Sequence, residues 1–296
     1  MLLVSVQNLQ EAEQAIDADV DLVDFKDPRR GPLAATDPAI WRVAAARWGE
    51  TSRASESMGL ADVLQSGGSD QTPTGRERGG SSDRLPCGGT SPECRSFGGL
   101  SAALGEFPEG VALATQVPPA FRFAKIGPSG RRTADALAEL WAQTVLPSGV
   151  TLVPVSYADH RAAETVTPEL VLDTVIATGR NRLLIDTFGK AGRRLTDHLP
   201  PARLCRLVRR AQAAGVWVVL AGSINLDARA ALIAAGCEAD CWGVRGDVCH
   251  PASELGRAAP LDESRLYRWR RATRPALTAA PPVIANRPTS DTLGTR

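Results

Sequence analysis

Asp21-Leu22-Val23-Asp24-Phe25-Lys26-Asp27-Pro28 is the stretch on which the reading of this chain turns. Leu22, Val23 and Phe25 make a short apolar, β-prone run, and Pro28 forbids its continuation, so the run reads as a buried strand that stops there. Asp24 and Lys26 are two residues apart, which on a strand places both side chains on one face. A carboxylate and an amine sharing a face at the end of a strand are costly to bury for packing alone. They are useful where an amine must attack a carbonyl.

Outward from this stretch the pattern repeats. Apolar runs read as strands at 2–6, 22–26, 100–106, 121–126, 151–156, 182–186, 216–221 and 240–244. Between most of them lie helical patterns: Asn8 caps one through Ile16, and Asp37-Pro38 opens another carrying Ile40, Trp41 and Val43. Further helices read over 133–146, 168–177, 199–214, 226–235 and 261–271, whereas Val111 to Val117 reads only as a short apolar segment. Pro154 weakens the fifth strand. Eight strands alternating with helices predict a (β/α)8 barrel over 1–273. A doubly wound open sheet is the alternative, but no G-x-G-x-x-G follows the first strand. From 51 to 97 the texture is Gly-Gly, Ser-Ser and Thr-Pro, the mark of a mobile insertion or a lid, and 274–296 reads as a disordered tail.

Charge and composition exclude several classes. The formal net charge of +1 favours neither nucleic acid nor an anionic membrane. No apolar run approaches the ~20 residues of a membrane span, and the start lacks a basic leader, so a cytoplasmic protein is expected. Six cysteines form no CxxC pair. Cys237, Cys241, Cys249 and His250 would sit toward opposite ends of the eighth strand, ~25 Å or more apart at the outside, which opposes a metal site. No metal and no cofactor are expected. Homo-oligomerisation is left open.

Lysine usage points to the chemistry. Lys and Arg together number 34, and only Lys26, Lys125 and Lys190 are lysines. Arginine cannot lose its proton at working pH and so cannot form an imine or act as an amine base; lysine can do both. Each lysine closes an apolar run, on the second, fourth and sixth strands, where inward side chains converge at the C-terminal mouth of a barrel. Asp24, Asp186, Tyr157 and Asp159 end strands at the same mouth, with a cap on the following turn as the lesser alternative for Asp186. Gly222-Ser223 follows the seventh strand and Arg245-Gly246 the eighth, the two positions where barrels hold phosphate. The residues read as a cofactor-free Schiff-base enzyme for a small phosphorylated carbonyl compound.

Several of these stretches resemble one family. Asp24-Phe25-Lys26-Asp27-Pro28-Arg29-Arg30-Gly31, Leu100-Ser101-Ala102-Ala103-Leu104-Gly105, Ala124-Lys125-Ile126-Gly127, Tyr157-Ala158-Asp159, Ile185-Asp186-Thr187-Phe188-Gly189-Lys190, Leu220-Ala221-Gly222-Ser223-Ile224 and Gly243-Val244-Arg245-Gly246 look like (5-formylfuran-3-yl)methyl phosphate synthase. The resemblance runs over 2–49 and 98–272. It implies a barrel lyase that condenses two glyceraldehyde-3-phosphate molecules into the furan precursor of methanofuran-type carriers. By the same resemblance Lys26 forms the imine, Lys125 accepts a proton, and Asp24, Asp186 and Lys190 complete the catalytic set. The chain departs from the family in its insertion and in Asp247-Val248-Cys249-His250-Pro251-Ala252, where the family is glycine-rich. An aldolase acting on another sugar phosphate and a non-catalytic scaffold are the rival readings.

Overall fold

Leu2–Val6 forms β1, with every one of its side chains buried. Burial on both faces is what a parallel strand covered by helices requires. In the computed structural model, which describes residues 1–49, 98–189, 192–251 and 253–274, seven more strands follow. They are β2 (Leu22–Phe25), β3 (Gly99–Ala103), β4 (Phe123–Ile126), β5 (Thr151–Tyr157), β6 (Arg182–Asp186), β7 (Trp217–Leu220) and β8 (Cys241–Val244). Neighbours in sequence are neighbours in the sheet, all parallel, and β8 closes on β1 with Leu3 opposite Gly243. The closing ladder excludes an open doubly wound sheet. The fold is a (β/α)8 TIM barrel.

The helices are α1 (Leu9–Asp17), α2 (residues 38–49), α3 (Glu109–Ala114), α4 (Ala134–Gln143), α5 (Pro168–Ala177), α6 (Leu195–His198), α7 (Pro201–Ala213), α8 (Leu226–Ala234) and α9 (Glu263–Thr273). Their starts follow from local chemistry. Asn8, Thr133, Thr167 and Asn225 each accept a first-turn N–H through a side-chain oxygen, and Asp37 Oδ1 accepts from Ala39 N at 2.8 Å. The apolar segment near 111–117 is helix α3, short because Pro118 and Pro119 follow it closely. Pro154 lies inside β5 after all. It sits opposite Ile126, the last residue of β4, so the missing N–H falls where that ladder ends.

Period-two alternation divides the core into two layers. Leu3, Leu22, Val155, Leu184, Val219 and Cys241 fill the barrel interior, while Trp41, Trp141, Trp269 and the opposite strand faces pack between barrel and helices. The same alternation carries Ser5, Asp24, Lys125, Tyr157 and Asp186 inward, one step above the apolar plug. The segment expected as an insertion, 51–97, and the tail from 275 lie outside the described residues. Helix α2 runs from the mouth back to the N-terminal floor, and β3 starts there. Residues 49 and 98, which flank that segment, are therefore rooted opposite the mouth, and Arg122 Nη1 ties Gly98 down through its carbonyl at 2.6 Å.

Candidate active site

Strand ends deliver the charges to one place. A cavity of about 230 Å3 opens at the C-terminal mouth, and Asp24, Lys26, Lys125, Asp186, Gly222, Ser223, Arg245 and Gly246 all line it. Lys190 lies outside the described residues. The sequence-based site thus gathers around a single cavity, though its members do different things there.

Lys125 Nζ lies 2.6 Å from Asp24 Oδ1, an ion pair without hydrogen-bond angles, and both side chains are almost completely buried. One strand, β3, separates these residues in chain order and in the sheet, and it makes the contact possible. Its inward positions are Gly99, Ser101 and Ala103, too small to block the lysine as it crosses. Ser5 Oγ donates to the other Asp24 oxygen at 3.3 Å. Lys26 is buried beside this pair at the end of β2. Asp186 Oδ1 accepts from the Thr187 N–H at 2.7 Å, so it caps its turn and lines the cavity at once. The two readings of Asp186 are compatible.

The turn after β7 is shaped for close approach. Gly222 and Ser223 have φ of 94° and 56°, and a Cβ at Gly222 would stand 2.9 Å from Thr187 Cγ2, so only glycine fits there. Successive left-handed residues turn the chain into α8, whose N-terminus faces the cavity at Asn225. Backbone N–H groups at such a turn favour an anion.

Arg245 departs from its expected role. Its Nε donates to Arg257 O at 2.8 Å; Nη1 donates to Ser5 O at 3.0 Å and Glu11 Oε2 at 2.5 Å; Nη2 donates to Glu11 Oε1 at 3.1 Å and Ala259 O at 2.6 Å. Every N–H of the guanidinium is used, which leaves the side chain no donor for a ligand. It locks the start of α1 and the end of β1 to the loop after β8. Asp247, two residues on, turns away from the cavity's arginines: it accepts from Trp269 Nε1 at 2.7 Å and faces Arg265.

Two groups at the mouth were not legible as site residues. Glu106, beyond β3, accepts from Tyr157 Oη at 2.5 Å and from Ser129 N at 2.9 Å. Burial raises its pKa above the ordinary carboxylate range against the pull of those two bonds. Burial, with Glu106, Asp186 and Asp159 adding to it, pushes the Tyr157 phenol well above its usual value, so it stays protonated. A Cβ at Gly127 would lie 2.1 Å from the Glu106 oxygens; the glycine after β4 is the one trace of this contact in the sequence. Asp159 accepts from the Phe188 and Gly189 N–H groups at 2.7 Å each and so holds the loop after β6. Arg257 is the second unread residue. It lines the cavity from the irregular stretch between β8 and α9, where no periodicity marks it.

The four cysteines among the described residues, Cys205, Cys237, Cys241 and Cys249, are buried free thiols. Burial pushes Cys237 and Cys241 up to about 12, which keeps them inert. Among the described residues no helix is long and apolar enough to cross a membrane.

Fold and cavity together define a (β/α)8-barrel protein with its polar site at the C-terminal mouth, the position used by barrel enzymes. Sequence comparison gives the particular family. A sequence model of 4-HFC-P synthase matches residues 2–71 and 94–270. The (5-formylfuran-3-yl)methyl phosphate synthase of Methanothermobacter thermautotrophicus is 26% identical over 253 residues, covering 84% of this chain and 89% of that protein. A Methylorubrum extorquens protein that carries the same name provisionally is 31% identical over 265 residues, 90% of this chain and 88% of its own. With the Streptomyces griseus relative, 36% identical over 110 residues, the match spans only 43% of that protein. The chain belongs to the 4-HFC-P synthase family. Among solved structures, a Streptococcus agalactiae protein provisionally named copper homeostasis protein CutC is similar at a TM-score of 0.50 and 10% identity, over 82% of this chain and 97% of that one. That likeness concerns the fold alone.

Proposed function

We propose that the protein is a carbon–oxygen lyase that condenses two glyceraldehyde-3-phosphate molecules to (5-formylfuran-3-yl)methyl phosphate through a Schiff base, in the cytoplasm, for a methanofuran-type carrier. The observation that carries the reading is Lys26, itself buried, at the wall of the mouth cavity beside the Lys125–Asp24 ion pair, in a chain that otherwise meets its need for positive charge largely with arginine.

In this reading Lys26 Nζ adds to the carbonyl of one triose phosphate, and loss of water leaves the imine. The protonated imine draws electrons from the adjacent C–H bond, and Lys125 takes that proton to give an enamine. The enamine carbon adds to the aldehyde of the second molecule. Loss of one phosphate and two waters overall, with ring closure, gives the furan, and hydrolysis or an internal hydroxyl frees Lys26. Asp24 holds Lys125 in place; Asp186 and Lys190 carry protons in the eliminations. The left-handed turn at Gly222-Ser223 and the α8 N-terminus cradle a phosphate.

Incubation with glyceraldehyde-3-phosphate and mass analysis of the products tests this directly. The expected outcome is a furan aldehyde phosphate with its ultraviolet absorbance, plus free inorganic phosphate. An aldol product that keeps both phosphates would favour an aldolase, and no product from any triose phosphate would favour a scaffold.

A further inference from the structure

We infer that Arg257 is the anion-binding arginine of the loop after β8 and that it sets specificity for a phosphorylated substrate. This deepens the proposed function and rests on it for the identity of the substrate, not for the anion site itself.

The first ground is the contrast with Arg245. That guanidinium spends all its donors on Glu11 and three backbone carbonyls. Arg257 spends only Nη2, which donates to the Pro28 carbonyl and to Gly31 O at 3.1 Å. Nε and Nη1 make no hydrogen bond among the described residues, although the Asp186 and Asp27 carboxylates act on the guanidinium through space, and the side chain is half-buried in the cavity wall. A guanidinium anchored by one nitrogen and open at the others presents a planar fork at fixed orientation, the geometry that grips a phosphate.

The second ground is the charge of the cavity. Lys125 is balanced by Asp24, Arg245 by Glu11, and Asp247 faces Arg265. Among the described lining residues, the cationic Lys26, Lys125, Arg194, Arg245 and Arg257 outnumber the carboxylates Asp24, Asp186 and Asp247, a positive excess at the mouth of a chain whose overall charge is only +1. Arg194 is exposed at the rim, where water screens it. Arg257 is the arginine held inside.

The third ground is placement. Pro28 and Gly31, which anchor Arg257, continue the chain directly from Lys26. The arm is thus fixed to the segment that bears Lys26 and lines the same cavity as that lysine. The Gly222-Ser223 turn lines the same cavity.

Arg257→Gln keeps an N–H donor for the loop carbonyls and removes the charge. Borohydride trapping of Lys26, read by mass, would compare glyceraldehyde-3-phosphate with glyceraldehyde. For the variant the half-saturating concentration of the phosphorylated substrate is expected to rise about tenfold or more, the loss of a charge-assisted contact, while that for glyceraldehyde stays within about twofold. Arg257→Lys should recover part of the discrimination. An equal loss for both substrates makes Arg257 a strut between two loops and overturns the inference, as does no loss for either. Inorganic phosphate, titrated into the full-length protein by calorimetry, separates this from the proposed reaction. If the wild type binds phosphate and Arg257→Gln binds it about tenfold more weakly, the anion site stands even where no imine forms. Equal binding by the two, or none by the wild type, overturns it.

Discussion

The two ends of this barrel handle positive charge in opposite ways. At the N-terminal floor, arginines lie over aromatic rings: Arg122 over Phe123 at 5.6 Å, Arg182 over Trp217 at 5.6 Å and Arg229 over Trp242 at 5.3 Å. Burial lowers the pKa of Arg182 and Arg229, yet arginine remains charged, and the stacked planes tolerate small shifts. At the C-terminal mouth both described lysines are buried, one of them 2.6 Å from a carboxylate. A compact amine on a flexible stem is a poor closure and a good reagent. The same sheet thus keeps a fixed charge where it needs a seal and a titratable amine where a bond could be made.

Breaking the buried pair should produce the largest effect. Asp24→Asn leaves Lys125 buried without its counter-charge, which costs about 3–5 kcal/mol in comparable cases, and turnover should fall at least a hundredfold. Chemical denaturation and initial rates check this; a variant as stable and as active as wild type would erase the contrast between the two ends.

Arg245→Met sharpens it from the other side. Here a buried arginine at the mouth acts as a seal, so removal should cost about 3 kcal/mol by stranding Glu11 while phosphate affinity stays within about twofold. Phosphate binding weakened tenfold in a folded variant would return Arg245 to the ligand.

Glu106 offers a smaller, pH-dependent effect. Its raised pKa means that the folded state favours the protonated carboxyl, so the associated stability is full below the ordinary glutamate value of 4.5 and is lost as pH rises through the folded value. Glu106→Gln should flatten that part of the stability profile. Denaturation midpoints of both proteins on the alkaline side of 4.5 give the comparison, and parallel profiles would show that Glu106 is ionised without cost.

The floor should yield least. Arg182→Gln removes one stack and should lower stability by roughly 0.5–1 kcal/mol with turnover unchanged. Replacing 51–97 by a short Gly/Ser bridge should likewise leave turnover near wild type, because its flanking residues 49 and 98 root opposite the mouth. A tenfold loss of rate in either folded variant would mean that the floor is coupled to the site.

Much of this was legible in the chain because it depends on local pattern. The Leu22–Phe25 run, its two-residue Asp24–Lys26 spacing and the lysines at alternate strand ends fix which side chains converge, since period two and strand order decide it. The barrel follows from the same alternation. What could not be read depends on where long side chains turn. Arg245 and Arg257 are indistinguishable as letters, and only the three-dimensional placement of Glu11, 234 residues away in the chain, decides which one is saturated. Glu106 was hidden for a similar reason, as its partner Tyr157 comes two strands later. Asp24 was read beside Lys26, its neighbour along the strand. Its ion pair with Lys125 across β3 depended on the small residues of that strand.

The central claim is that Lys26 forms a covalent imine. Wild type and Lys26→Arg should be treated with borohydride in the presence of glyceraldehyde-3-phosphate, digested and mapped by mass spectrometry. The account predicts one reduced triose phosphate adduct on the peptide carrying Lys26 in the wild type, and none on that peptide in the variant, which should be folded and inactive because arginine keeps the charge but cannot form an imine. An adduct on Lys125 or Lys190 alone, or a Lys26→Arg protein that retains more than about a few per cent of wild-type turnover, would contradict it.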